Sequence, residues 1–158
     1  MAYMVAYSEN MCAGFMQTLC PSAELKLKCR LISCRLVLRR IYAGAEFSIE
    51  RGTGEDSVPA VVWEIDDAEE KDLMDYYPED LFEKINFSLN TGKTQIAVFM
   101  LVPRGREPAL PDADYIEKIA AAYEEHGFDF WYVEQAMDDA ADSMKGGNEN
   151  GALHTGTD

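Results

Sequence analysis

Val58 to Ile65 reads VPAVVWEI, with one charged residue in eight. A run this apolar, preceded by the polar turn RGTGEDS (Arg51 to Ser57) and followed by acids, reads as a well-buried strand. It commits the chain to a sheet with a real core. At 158 residues one domain can bury such a core without disulfides or metal. The longest uncharged apolar run, Ile96 to Val102, is too short to span a bilayer, and no basic region precedes an apolar stretch at the start. Neither a membrane span nor a signal peptide is expected, and the default compartment is the cytoplasm.

The other elements follow from period and punctuation. A first strand covers about Tyr3 to Tyr7, and a short helix runs from Asn10 to Leu19, ended by Cys20-Pro21. In KLKCRLISCRLVLRR (Lys26 to Arg40), Leu25, Leu27, Cys29 and Leu31 alternate with Lys26, Lys28 and Arg30, the period of a half-buried strand. A second strand completes the stretch from Glu24 to Arg40, and another lies at Glu46 to Glu50. DDAEEKDLMDYY predicts a helix with Asp66 or Asp67 as N-cap and acids in its first turn, which suits the helix dipole. FEKINFSL and TQIAVFMLV form a hairpin around Asn90-Thr91-Gly92-Lys93. NTGKT lacks the spacing and the strand-to-helix context of a phosphate-binding loop. A last helix, Asp112 to Glu125, carries Tyr115, Ile116, Ile119 and Tyr123 on one face. The expectation is a mixed α+β domain, residues 1–137, built on a small curled or barrel-like mixed sheet with a few short helices. A disordered polar tail is expected over 138–158.

Charge and cysteine usage narrow the function classes. A net charge of −15 argues against nucleic acid as a direct ligand, because phosphate binding needs a positive face. It permits solubility alone, a basic partner protein, or mimicry of a polyanion. Glu64 to Glu83 holds ten acids and one lysine, Lys71, whereas Lys26 to Arg40 holds six basic residues and no acid. The basic stretch reads as a solvated strand face. Cys12, Cys20, Cys29 and Cys34 have no CxxC spacing, and the two histidines, His126 and His154, lie far along the chain. Free thiols are expected rather than a zinc site, and little is left for a histidine-activated nucleophile.

The order of the pieces resembles the γ-glutamylcyclotransferase-like superfamily. Its Tyr-Gly-Ser-Asn-(Leu/Met) loop after the first strand corresponds to Tyr7-Ser8-Glu9-Asn10-Met11, and its Cys-Pro-(Asp/Ser)-Ala helix end to Cys20-Pro21-Ser22-Ala23. Cys34 to Arg39 resembles its Tyr-Arg-Leu-Val-Phe-Arg strand, and VPAVVWEI its Val-x-Gly-Val-Leu-Trp-Glu-Ile strand. PDADYIEKIAAAYEEHGFDFWYV resembles its last helix. The likeness covers about Tyr3 to Val133.

What the resemblance implies is chemistry without a cofactor or a metal. A small γ-glutamyl compound is held by the loop at Tyr7, Ser8, Glu9, Asn10 and Met11. A carboxylate takes a proton from the α-amine, which attacks the γ-carbonyl and closes 5-oxoproline. Aligning the Tyr-Pro of the family's acid/base motif places Asp75 on the catalytic position, whereas aligning its leucine points to Glu79. Tyr115 matches the family's second tyrosine, and Phe82 replaces a tyrosine. Ser8 stands where the family has glycine, so a positive φ is expected there, at a cost of about 1 kcal/mol. Glu9 stands where it has serine. Pointing outward, Glu9 leaves an amide cradle; pointing inward, it fills the site or favours a cationic group.

Two readings follow. One is a divergent γ-glutamyl or γ-glutamylamine cyclotransferase. The other is an inactive binding protein on the same fold, its acidic surface meeting a basic or nucleic-acid-binding protein, as in phage or mobile-element anti-defence or regulation.

Overall fold

The computed structural model describes residues 1–154, with side chains to 145. Among the described residues seven strands and four α-helices alternate irregularly: β1 (Ala2–Ala6), α1 (Ala13–Leu19), β2 (Glu24–Ile32), β3 (Cys34–Ile41), β4 (Gly44–Arg51), β5 (Ser57–Ile65), α2 (Asp67–Tyr76), β6 (Phe82–Asn90), β7 (Gln95–Pro103), α3 (Ala113–His126) and α4 (Trp131–His154). Five strands form one sheet in the order β2-β5-β1-β7-β6, and β3 pairs with β4 in a separate hairpin. The β1–β7 pair is parallel, and the other pairs are antiparallel. The expected mixed α+β class with a mixed sheet is the observed one.

Burial explains this order. β5 and β1 are the apolar runs and lie inside the sheet; Met4, Val5, Ala6, Val58, Ala60, Val61, Val62 and Ile65 are 0–1% exposed. β2, with its alternating lysines and arginine, takes an edge, where charge discourages pairing with another chain. Its Leu31 is buried while Lys26, Lys28 and Arg30 stay exposed, as the alternation predicts, but Leu25 is 46% exposed, where the register with β5 shifts between Leu25 and Leu27. The β6–β7 hairpin turns at Gly92, whose φ of 88° suits glycine, and the Asn90 side chain accepts from the Gly92 amide at 2.8 Å.

The ends of α2 and α3 agree with the sequence to within a residue or two, whereas α1 starts late, at Ala13, and α4 is a helix the sequence reading does not predict. The residues before α1, Glu9–Met11, form a separate 3-10 turn. Asp112 caps α3 by accepting from the Tyr115 amide at 2.9 Å, and Gly127 ends that helix at φ 71°.

α4 runs through the expected tail boundary at 138. Ala140 is 4% exposed, and Asp139 pairs with Arg35 of β3 at 3.2 Å. Residues 155–158 of the expected tail lie outside the described residues. Among the described residues no helix is long and apolar enough to cross a membrane.

The basic stretch is paired within the molecule. Arg35 meets Asp139, Arg39 meets Glu50 at 2.6 Å, and Arg40 meets Glu107 at 3.4 Å. Arg30 lies over the Tyr132 ring, and Lys28 donates to the His126 carbonyl at 2.9 Å.

Candidate functional site

β1 ends in mid-sheet, between β5 and β7, and delivers the Tyr7–Met11 turn to the end of the sheet. Contacts from other elements hold that turn and the start of α1 that follows it. Trp63 of β5 donates its indole N–H to the Asn10 carbonyl at 2.9 Å. His126 of α3 donates from Nε2 to the Met11 carbonyl at 2.6 Å, and Glu125 accepts from the Ala13 amide at 3.0 Å. Within the turn Met11 N–H bonds to Ser8 and Cys12 N–H to Glu9, so the amides of Ser8, Glu9 and Asn10 take no part in its own ladder.

The positive φ expected at Ser8 is not there: its φ is −129°. The chain enters the 3-10 turn with a negative φ at Ser8, so no left-handed residue is required and serine is accommodated without that strain. The Ser8 hydroxyl donates to Asn10 Oδ1 at 3.3 Å.

Glu9 points inward. The residue is 8% exposed; its Oε1 accepts from the Tyr77 hydroxyl at 3.2 Å, and its buried Oε2 has no hydrogen-bond partner among the described residues. A buried anionic oxygen without a donor costs more than the roughly 1–3 kcal/mol of a neutral group. Two further tyrosines anchor the surroundings. Tyr7 donates to the Leu101 carbonyl at 2.9 Å, and the Tyr115 hydroxyl accepts from the Phe47 amide of β4, also at 2.9 Å.

Next to Phe47 on β4 is Glu46, a carboxylate at the same site. Burial first, and then the charge of Glu9, push its carboxyl up to about 7. The same causes raise Tyr7, Tyr77 and Tyr115 well above the ordinary phenol value and raise Tyr76 as well. Raised in this way, the Tyr7 and Tyr77 hydroxyls keep the protons that they donate to Leu101 and Glu9.

A cleft of about 310 Å³ opens here between the Glu9 turn, the tip of the β3–β4 hairpin and the end of α2. Its wall includes Glu9, Glu46, Asp75, Tyr42, Tyr76 and Tyr77 and carries no basic residue. Tyr76 and Tyr77 meet edge to face, centroids 4.9 Å apart, and Tyr77 packs the same way on Phe82 at 5.0 Å. Tyr42 stands at the hairpin tip, 78% exposed, with a φ of 52°.

The sequence-predicted residues thus separate. Glu9 and Asp75 line the cleft, with Asp75 exposed. Tyr7, Ser8, Asn10 and Met11 are buried behind it, and Tyr115 does not line it but accepts from the amide of Phe47, the residue after Glu46. Glu79 is exposed and does not line it; its backbone carbonyl accepts from Arg104 Nε at 2.7 Å. Glu46 is the carboxylate that sequence reasoning left out of the site. The available signal was a glutamate between Ala45 and Phe47 in an otherwise apolar strand start.

No family model and no curated protein matches the sequence. Solved structures do match the fold. One described as a gamma-glutamyl cyclotransferase superposes with a TM-score of 0.73 at 21% identity, over 85% of each chain. An uncharacterized protein from Homo sapiens gives 0.74 at 20%, again over 85% of each chain. YkqA from Bacillus subtilis gives 0.64 at 16%, over 78% of this chain and 48% of that one. The chain has the γ-glutamyl cyclotransferase-like fold.

Proposed function

We propose that the protein is a cofactor-free cyclotransferase that releases 5-oxoproline from a small γ-glutamyl compound, with Glu46 as its acid/base. The observation that carries this reading is the Glu46 carboxyl, held near 7 on the wall of a cleft shared with the Glu9 turn. A carboxylate poised near neutral pH is suited to take a proton and to return it. Glu46 takes a proton from the substrate's α-amine as the nitrogen attacks the γ-carbonyl carbon. A ring C–N bond forms, the bond to the departing amine breaks, and Glu46 hands its proton to that amine. Nucleophile and electrophile belong to one molecule, so positioning carries much of the rate. Tyr115, through its bond to the Phe47 amide, fixes the strand that carries Glu46.

The test is 5-oxoproline release from a panel of γ-glutamyl amines and γ-glutamyl amino acids. Wild type is compared with Glu46→Gln, Asp75→Asn and Glu79→Gln. Loss with Glu46→Gln alone supports the assignment. Loss with Asp75→Asn or Glu79→Gln alone moves the role to that carboxylate. No turnover on any substrate removes the enzyme reading.

One observation favours a second reading, a binding protein without turnover: the Glu9 side chain occupies the turn that would otherwise receive a substrate carboxylate. On that reading the acidic surface engages a basic protein partner, and the cleft serves recognition only.

A further inference from the structure

A second cleft, of about 520 Å³, is framed by β4, β6, the end of β7 and the segment that follows it. It shares no lining residue with the Glu46 cleft. Its wall carries Arg51, Arg104 and Arg106. Arg35, Arg39 and Arg40 each have an acidic partner, whereas these three have none among the described residues. In a chain with 29 acidic residues, they are not unpaired for want of acids. Of the two acids on the same wall, Glu50 is taken by Arg39, and Glu83 pairs with none of the three.

The segment that carries two of these arginines is pinned. Arg104 gives its amide to the Leu81 carbonyl at 2.9 Å and its Nε to the Glu79 carbonyl at 2.7 Å, which leaves both terminal nitrogens as donors. Arg40 donates to the Glu107 carbonyl at 2.8 Å, and a Cβ on Gly105 would collide with the Arg40 carbonyl. Glycine there lets the segment lie close against β3. Ser48 supplies an independent observation. It lines the cleft and is 3% exposed, and its hydroxyl has no hydrogen-bond partner among the described residues. The side-chain oxygens sealed from solvent without a partner are Glu9 Oε2 and Tyr123 Oη. The Ser48 hydroxyl is not one of them and stays open to the cleft. Hydroxyls this buried are ordinarily satisfied, and the partner left to this one is an occupant of the cleft.

We propose that this cleft binds a phosphoryl group, with the arginine forks and the Ser48 hydroxyl donating to its oxygens. Guanidinium forks match phosphate and carboxylate oxygens alike. A phosphoryl dianion has three oxygens and meets more than one fork at once, whereas a monocarboxylate has two and fills one. Three unpaired arginines therefore favour the phosphoryl group. Ile49, Ile85, Val102 and Pro103 offer apolar wall beside it, which suits the carbon body of a small phosphate monoester. A long polyanion would run onto the rest of an acidic surface, so the site is not a nucleic-acid face. The assignment stands whether or not ring closure occurs at Glu46.

The probes are butyl phosphate, inorganic phosphate, butyrate and butylammonium, titrated into the full chain while the arginine Nε–H resonances are followed by NMR. Butyl phosphate is expected to bind at millimolar concentration or better and to shift Arg51, Arg104 and Arg106 but not Arg30 or Arg35. Butyrate should bind at least about tenfold more weakly, and butylammonium not at all. Arg104→Gln should weaken butyl phosphate about tenfold and Ser48→Ala severalfold, whereas Glu83→Gln should strengthen it. Tighter binding of butyl phosphate than of inorganic phosphate assigns the site to a monoester, and equal binding assigns it to free phosphate. No shift with either phosphate, butyrate as tight as butyl phosphate, or shifts spread evenly over all the arginines overturns the proposal. Unchanged affinity in folded Arg104→Gln overturns it as well. If that variant does not fold, the order of the four probes on wild type decides.

Discussion

The Tyr77 hydroxyl donates to Oε1 of Glu9 at 3.2 Å, joining the end of α2 to the turn after β1. Without that bond both Glu9 oxygens would be buried and unpaired. Tyr77→Phe is therefore expected to destabilise the fold by about 1–3 kcal/mol. Made on top of Glu9→Gln, it should cost clearly less. Urea unfolding of the two single variants and the double variant measures the coupling.

The Glu46 carboxyl gives a stability slope of known sign. Its folded value of about 7 lies above its ordinary value, so the folded state binds more protons between about 4.5 and 7. Its contribution is complete below that window and is lost as pH rises through it. Facing it are Glu9, Asp75 and the hydroxyls of Tyr76 and Tyr77, none of which supplies a compensating positive charge. Glu46→Gln should flatten stability between pH 5 and pH 7.5, limits taken as roughly spanning that window, and gain on the order of 1–3 kcal/mol over wild type at the upper end. Chemical denaturation across that range checks it.

Tyr115→Phe leaves the Phe47 amide without its acceptor. A loss of about 1–3 kcal/mol is expected in unfolding experiments. If Tyr115 positions Glu46, kcat should also fall more than KM rises, and the pH midpoint of the rate should move. A role in packing alone would leave that midpoint in place.

Tyr42→Gly relieves a left-handed backbone at an exposed hairpin tip. Glycine's greater freedom in the unfolded chain offsets part of the gain, so stability should stay unchanged or rise by up to about 1 kcal/mol. Thermal unfolding of wild type and Tyr42→Gly checks it.

The strands and most helix ends were legible because each is written locally. The Leu27 to Leu31 alternation, the apolar run at Val58 to Ile65, the Asp112 cap and the Gly92 turn all fix backbone over a few residues. The cleft was only half legible. Glu9 declared itself by standing in a turn that resembles a substrate loop, but its inward direction depends on Tyr77, which arrives from the end of α2. Glu46 looked like the start of an ordinary strand. Its character comes from burial and from the charge of Glu9, which the fold brings close. Ser8 misled because the turn's backbone was inferred from residue type, whereas the observed 3-10 turn does not pass through positive φ.

The most direct test of the cyclotransferase account is the pH dependence of 5-oxoproline release from a γ-glutamyl amine, in wild type and Glu46→Gln side by side. The account predicts a wild-type rate that rises through a midpoint near the Glu46 value of about 7. It predicts a rate lower by roughly 10²-fold or more in the variant, without that midpoint. A variant that turns over at the wild-type rate with the same profile would contradict it.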